Sequence, residues 1–176
     1  MESPLPNVLV TGTPGVGKTT LCRLLEDQVN EGVAETSKYR YVALADLIIQ
    51  KRLYTAVNET FNVPEFDEDM VCDELEPLMQ QGGVILEFHS SDFFPQRWFR
   101  HVVLLRTNNT ELYDRLAARG YEPRKITENI ECEIMNVTSE EVRAAYREDQ
   151  VVELESNSVG DMETNVSRLA ALLRTS

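Results

Sequence analysis

A glycine-rich segment near the start of the chain has the spacing of a phosphate-binding loop. Residues 12–19 read G-T-P-G-V-G-K-T, the full G-x-x-x-x-G-K-T pattern. Its glycines let backbone N–H groups wrap closely around an anion, Lys18 can reach the β- and γ-phosphates, and the Thr19 hydroxyl can ligate Mg²⁺. A β-branched run precedes this segment and a helical pattern follows it, which favours a phosphate loop over an incidental glycine-rich turn. The segment therefore predicts a site for a Mg²⁺-bound nucleoside triphosphate.

Two more residues with useful chemistry stand at the end of a second apolar run. Glu87 and His89 belong to V-I-L-E-F-H at 84–89. Their spacing puts both on one face of a strand, and ligands of open α/β sheets bind at the carboxyl ends of strands. Glu87 could orient Mg²⁺-bound water, and a neutral His89 could position a hydrolytic water or neighbouring groups near the γ-phosphate. The alternative for His89 is a structural hydrogen bond to the loop at 90–92.

Arg119 is the third candidate, because it directly precedes Gly120 at the end of a predicted helix. An arginine on a closing loop can neutralise charge on the transferring phosphoryl group. A solvated arginine favoured by the helix dipole is the alternative, and the residues alone do not separate the two.

The elements that must position these residues alternate between strand and helix. Strands are predicted at 7–11, 40–43, 84–88, 101–105 and 151–154. Helices are predicted after Lys18, from about Asp46, around 70–79, around 112–117, as one long helix between Ile126 and Glu148, and at 162–173. Asp67 is the expected N-cap of the third helix, and Gly82 and Gly83 are expected to end it. The pattern predicts a single α/β domain over 1–176, with a five-stranded parallel sheet covered on both faces.

Charge and composition exclude several other classes of protein. The chain has 17 basic and 30 acidic residues, a net charge of −13. We therefore expect no strong direct binding to nucleic acid, and a basic protein is the better-suited partner. The three cysteines form no metal-ligand spacing and indicate reduced thiols in an intracellular protein. No secretory signal and no apolar run of about 20 residues is evident, so no membrane association is expected.

Acidic residues concentrate between Glu65 and Glu76. Such a run is typical of a solvated helix face. It could also be a docking surface for a basic partner, and both interpretations stay open.

Several motifs together resemble one known family. The G-T-P-G-V-G-K-T-T loop is similar to that of small nucleoside monophosphate kinases. The chain then resembles the adenylate kinase isoenzyme 6 family, also described as coilin-interacting nuclear ATPases, in V-I-L-E-F-H at 84–89, D-F-F-P-Q-R-W-F at 92–99, L-L-R-T at 104–107, R-L-A-A-R-G-Y at 115–121 and N-I-E-C-E-I at 129–134. The resemblance covers nearly the whole chain, and the loop at 31–40 looks like an insertion.

This resemblance implies a three-layer P-loop fold with sheet order 2-3-1-4-5 and a small mobile lid. It implies transfer of the γ-phosphoryl group of Mg·ATP to AMP, giving two ADP, with a weaker ATPase activity. It also implies a role in maturing the small ribosomal subunit, in nucleus and cytoplasm, with a basic small-subunit ribosomal protein as partner. An ATPase switch that remodels a pre-ribosomal complex, with vestigial kinase activity, is the alternative. We expect a monomer.

Matching the family position by position gives an expected set of site residues. The triphosphate contacts fall on Gly15, Gly17, Lys18, Thr19 and Thr20. Arg119 matches the arginine at the base of the lid, which would span about 118–128, and the monophosphate-binding segment would span about 43–66. The expected catalytic residues are thus Lys18, Arg119, Glu87 and His89, and the expected Mg²⁺ ligands are Thr19 and Glu87.

The chain departs from the family pattern at two positions. Glu87 stands where the family has an aspartate, which lengthens the side chain by one methylene. Ile49 stands where an arginine for the AMP phosphate is expected. Lys51, Arg52 or Arg97 could substitute for that arginine.

Overall fold

A five-stranded parallel sheet forms the centre of the molecule. The computed structural model describes residues 4–58 and 63–176. In chain order the strands are β1 (Val8–Thr11), β2 (Arg40–Ala43), β3 (Tyr54–Asn58), β4 (Val63–Phe66), β5 (Val84–Glu87), β6 (His101–Arg106) and β7 (Val151–Glu155). The sheet order is β2-β5-β1-β6-β7, and β3 and β4 pair separately in antiparallel fashion. When the five sheet strands alone are numbered, this order is 2-3-1-4-5, so the expected α/β fold is confirmed.

Helices cover both faces of the sheet. They are α1 (Lys18–Asn30), α2 (Leu44–Gln50), α3 (Glu68–Gln81), α4 (Asn109–Ala118), α5 (Pro123–Ile134), α6 (Val137–Ala145) and α7 (Val159–Arg174). Apolar residues of α1, α4, α5 and α7 form the core on one face, and those of α2, α3 and α6 form the core on the other. Within the described residues, none of these helices combines the length and apolar composition needed to cross a membrane.

The period-two alternation of strand side chains divides the sheet between these two cores. In β1, Val8 and Val10 pack into the α1 side, and Leu9 between them packs into the α3 side. All three are at most 1% exposed. Burial on both faces explains why this strand reads as a continuous apolar run rather than an alternating one.

The predicted boundaries of α3 are confirmed. The Asp67 carboxylate accepts hydrogen bonds from the backbone N–H groups of Asp69 and Met70, at 2.9 and 3.1 Å. These bonds satisfy two of the N–H groups that a helix start leaves open. The helix ends at Gly82, whose φ of 77° is accessible to glycine at little cost.

The prediction of one long helix between Ile126 and Glu148 is wrong. Two helices, α5 and α6, occupy this stretch, and Asn136 between them has a φ of 55°. Asparagine tolerates this left-handed conformation better than most residues. The Arg106 guanidinium donates to the Glu133 carbonyl at 2.9 Å and to the Asn136 side chain at 2.8 Å, which stabilises the break.

The two segments expected around the site have more structure than the sequence indicated. The monophosphate-binding segment at 43–66 contains α2 and the β3–β4 pair, which was not predicted, and its residues 59–62 lie outside the described residues. The lid segment at 118–128 consists of the end of α4, the loop at 119–122 and the start of α5. Its mobility stays a prediction.

Candidate active site

The phosphate loop connects β1 to α1 through glycines that no other residue could replace without strain. Gly15 and Gly17 have φ values of 94° and 98°. A Cβ on Gly15 would lie 2.9 Å from Leu112 Cδ1 and 3.0 Å from Leu116 Cδ2, both on α4. The loop is therefore packed against α4, and its backbone conformation depends on glycine.

Lys18 is folded back over this loop. It is 9% exposed, and its ammonium group donates hydrogen bonds to the carbonyls of Gly12 at 2.7 Å and Thr13 at 3.1 Å. Burial lowers the pKa of Lys18 to about 8, with Glu87 opposing and Arg119 reinforcing this effect. A bound phosphate would give the ammonium group a stronger partner than these neutral carbonyls.

Glu87, at the carboxyl end of β5, meets two hydroxyl groups. Thr19 Oγ1 donates to Glu87 Oε1 at 2.8 Å and lies 3.1 Å from Oε2. The Tyr41 hydroxyl donates to Oε1 at 2.5 Å. Desolvation and the hydrogen bond to Glu87 raise the pKa of Tyr41, so the phenol keeps its proton.

Thr19 and Glu87 are suited to hold Mg²⁺. Their hydroxyl and carboxylate oxygens are the hard donors that this ion prefers, and they already lie within hydrogen-bond distance of each other. No cluster of three or more metal-ligating side chains occurs among the residues described. Mg²⁺ typically binds through one or two protein oxygens and completes its shell with phosphates and water.

Arg119 and His89 lie at the rim of the same pocket. Arg119 is the first residue after α4, and its positive charge adds to the burial that lowers the pKa of Lys18. The His89 ring stays accessible to solvent and contacts Phe88, with 4.3 Å between ring centroids. Neighbouring atoms at the pocket mouth desolvate it enough to lower its pKa, and Lys18 adds to this, so the ring is neutral near pH 7.

Most of the residues expected from the sequence come together here. One pocket of about 240 Å³ is lined by Pro14, Gly15, Gly17, Lys18, Thr19, Ala45, Glu87, Phe88, His89, Arg119 and Tyr121. Thr20 is exposed on α1 and is not part of this lining. The roles expected of these residues stay predictions, and what the structure adds is their proximity.

Glu133 is a residue of this region that the sequence did not single out as functional. It belongs to α5 and is 3% exposed. Its carboxylate accepts a hydrogen bond from the Thr13 hydroxyl at 2.6 Å and one from Arg106 Nε at 3.1 Å. Through its bond to Thr13, this buried acid links α5 to the phosphate loop. The backbone carbonyl of the same threonine accepts a hydrogen bond from Lys18. The one signal for Glu133 in the sequence was its place in the N-I-E-C-E-I motif. The contact itself could not be predicted, because Thr13 and Glu133 are 120 positions apart.

A larger groove of about 1100 Å³ lies at the opposite edge of the sheet. Most of its lining residues lie just before or at the start of β1, β5, β6 and β7. The groove therefore faces the amino ends of the strands, where open α/β sheets do not usually bind substrates. Arg97 lines this groove and pairs with Glu76 at 3.3 Å. Arg97 thus lies away from the pocket at the carboxyl ends of the strands, which argues against its replacing the missing phosphate-binding arginine.

The remaining substitutes for that arginine lie near the end of α2. Ile49 is 54% exposed. Lys51 forms an ion pair with Glu74 at 3.6 Å, and Arg52 is exposed with a φ of 52°. Neither lines the pocket, in which Lys18 and Arg119 are the basic side chains among the described residues.

Known proteins match this chain over most of its length. A family described as "AAA domain" matches residues 8–136. The adenylate kinase isoenzyme 6 homolog of Schizosaccharomyces pombe is 40% identical over 168 residues, which cover 96% of this chain and 91% of that protein. The homolog of Drosophila melanogaster is 38% identical over 161 residues, covering 92% of this chain and 87% of that protein.

The fold also matches a solved kinase structure. Shikimate kinase from Acinetobacter baumannii, in complex with shikimate, superposes with a TM-score of 0.65, covering 97% of this chain and 94% of that one at 15% sequence identity. At this identity the likeness concerns the fold alone, which is that of a P-loop kinase.

Proposed function

The chain belongs to the adenylate kinase isoenzyme 6 family, and from this premise we propose that it transfers the γ-phosphoryl group of Mg·ATP to AMP. The family and the fold make it a P-loop kinase of the nucleoside monophosphate kinase type. The observation that carries the finer proposal is the convergence of Lys18, Thr19, Glu87 and Arg119 on one pocket at the carboxyl ends of the strands.

Positioning and charge neutralisation account for this reaction without a covalent intermediate. The glycine backbone and the start of α1 offer N–H groups to the β-phosphate, and Lys18 exchanges its loop carbonyls for phosphate oxygens. Thr19 and Glu87 hold the metal side of the nucleotide. Mg²⁺, when bound with ATP, screens the phosphate charges and aligns the β- and γ-phosphates.

Arg119 acts on the transferring group in this proposal. It stands on the loop between α4 and α5, where it can approach the transferring group when the loop closes. Its guanidinium then balances the charge that spreads over the γ-phosphoryl oxygens. A neutral His89 can accept a hydrogen bond from a water molecule in the same pocket, which supports an accompanying ATPase activity.

A second candidate function is an ATPase switch with vestigial kinase activity. The observation in its favour is on the acceptor side: Ile49 replaces the expected arginine, and Lys18 and Arg119 are the basic side chains of the pocket lining in the described part of the chain. The proposed transfer uses both Lys18 and Arg119 at the γ-phosphoryl group. Within the described lining of the pocket, no further basic side chain then remains for the acceptor phosphate.

One assay separates the two candidates. ADP formation from Mg·ATP is measured with and without AMP, with Lys18→Met purified in parallel to correct for contaminating kinases. A large AMP-dependent increase supports the kinase, and ADP formation that ignores AMP supports the switch. No ADP formation above the Lys18→Met background in either condition contradicts both.

We further propose that the protein acts in nucleus and cytoplasm in maturation of the small ribosomal subunit, with a basic ribosomal protein of that subunit as its partner. The net charge of −13 supports an electrostatic attraction. On α3 the acids divide into two groups, since Asp67 caps the helix and Glu74 and Glu76 pair with basic residues. The acids left for docking are those exposed on its surface, namely Glu68, Asp69 and Asp73.

Charge neutralisation on that face tests the partner. Replacing Glu68, Asp69 and Asp73 by their amides should weaken binding to the basic protein and flatten its salt dependence. Replacing Asp27, Glu31 and Glu163, which are exposed on other faces, removes the same charge and serves as the matched control. Equal losses of binding in the two triple variants would mean that net charge, not this face of α3, determines the affinity. No loss of binding in either variant would contradict an electrostatic attraction to the partner.

A further inference from the structure

We propose that Tyr41 is a positioning residue for Glu87, holding its carboxylate in the orientation that receives Mg·ATP. This inference rests on the proposed function, because it concerns the metal side of the same site. Tyr41 belongs to β2, the edge strand, and neither the phosphate-loop pattern nor the family motifs pointed to it.

Strand register brings Tyr41 to Glu87. Strands β2 and β5 are parallel neighbours, in which Ala43 lies opposite Glu87 and Tyr41 lies two residues earlier. The long tyrosine side chain covers that offset, so its hydroxyl reaches Glu87 Oε1 at 2.5 Å. The tyrosine is itself held at two points: its ring packs against the core on the α1 side, and its backbone N–H donates to Glu26 on α1 at 2.5 Å.

Glu87 needs such a partner more than an aspartate would. A glutamate has one more rotatable bond between backbone and carboxylate, and holding it in one orientation costs conformational entropy. The hydrogen bond from Tyr41 restricts this freedom. Thr19 also donates to Glu87, but Thr19 is itself an expected Mg²⁺ ligand, so its geometry changes with the metal. Tyr41 comes from a different element and is not itself an expected Mg²⁺ ligand, so we expect its hydrogen bond to Glu87 to persist when the metal is bound.

Tyr41→Phe is the variant that removes this bond while keeping the ring. Tyr39→Phe is the matched control, because Tyr39 is buried two residues away and its hydroxyl has no hydrogen-bond partner within the described part of the chain. We expect Tyr41→Phe to raise the Mg²⁺ concentration for half-maximal turnover by about tenfold, as for the loss of one hydrogen bond to a charged group. Tyr39→Phe should match the parent.

Calorimetric titration with ATP gives a readout that does not depend on turnover. In excess Mg²⁺, Tyr41→Phe should bind ATP about tenfold more weakly than the parent, and in EDTA the two proteins should bind ATP equally. An equal loss in both conditions would mean that Tyr41 supports the fold of the site rather than its metal side, and would overturn the proposal.

A double-mutant cycle with Glu87→Asp checks the partner. We expect the carboxylate of an aspartate, one methylene shorter, to lie out of reach of the Tyr41 hydroxyl, so Tyr41→Phe should have no further effect in the Glu87→Asp background. An effect of the same size in both backgrounds overturns the proposal.

The parent protein separates this proposal from the one on which it rests. If the parent protein shows no AMP-dependent turnover but binds ATP in a Mg²⁺-dependent way, the proposed kinase function is contradicted, and the ATP titration still decides the role of Tyr41. A parent that is active while Tyr41→Phe equals it in turnover and in both titrations overturns the role of Tyr41 alone.

Discussion

The phosphate loop and helix α2, which begins the expected acceptor segment, both line the pocket but are held in different ways. The loop is fixed from several directions: Lys18 bonds its carbonyls, Glu133 holds Thr13, and Arg115 of α4 donates to the Gly15 carbonyl at 3.3 Å. Such a loop has its geometry before the nucleotide arrives, which lowers the entropy lost on binding.

Helix α2 has fewer such contacts among the described residues. It spans seven residues, Ile49 on it is 54% exposed, and Lys51 is committed to Glu74. If the proposed function holds, the donor half of the site is built into the backbone, whereas the acceptor half depends on single side chains. Substitutions in the two halves should therefore have unequal effects.

Lys18→Met should have the largest effect. It removes the loop's only ammonium group, so the charge of the β- and γ-phosphates is no longer balanced, and ATP turnover at saturating Mg²⁺ should fall by about a thousandfold. Turnover is measured by ADP formation. A value within a few-fold of the parent would contradict the assignment of the phosphate loop.

Arg119→Ala should follow, with a loss of about a hundredfold in turnover and little change in ATP affinity. The reason is that an arginine on a closing loop acts chiefly once the site has closed. Saturation kinetics and ATP titration separate the two quantities. Weaker ATP binding with unchanged saturated turnover would make Arg119 a binding residue instead.

Thr13→Val tests whether the loop is fixed by its buried acid. The change keeps the side-chain shape, removes the hydroxyl that donates to Glu133, and should lower kcat/KM for ATP by about tenfold. Thr13→Ser keeps the hydroxyl and is the control. Equal kinetics for valine and serine at this position would leave the Glu133 contact without a role in positioning.

Ile49→Arg should have the smallest effect and the opposite sign. An arginine at this exposed position could pair with the acceptor phosphate, and solvent screening limits the gain, so KM for AMP should fall by about threefold to tenfold with kcat for hydrolysis unchanged. Ile49→Gln controls for the loss of the apolar side chain. If KM for AMP stays constant, α2 does not contact the acceptor phosphate.

The sequence placed most residues of the expected donor half in one pocket, although their roles stay predictions. Gly15, Gly17, Lys18 and Thr19 follow one another at a spacing that the phosphate chain dictates, so the motif can be read without the fold. Glu87 and His89 could also be placed, since the end of a buried strand is a defined position in an α/β sheet.

The residues that were missed make contacts between distant parts of the chain. Tyr41 reaches Glu87 only because β2 and β5 are neighbours in a given register. The break between α5 and α6 depends on Arg106, which lies 30 positions before Asn136. The β3–β4 pair contains Pro64, a residue that argues against a strand interior. None of these follows from local propensity.

The bond between Thr13 and Glu133 also bears on the expected lid. It links the end of α5 to the phosphate loop, so we expect this helix to stay with the loop when the site closes. The moving part of the lid should then be confined to the loop at 119–122, in which Gly120 has a φ of 76° and no neighbouring atom within 4 Å of where a Cβ would stand. A cover this short should shield the phosphoryl group from bulk solvent incompletely, which would favour the ATPase activity proposed above.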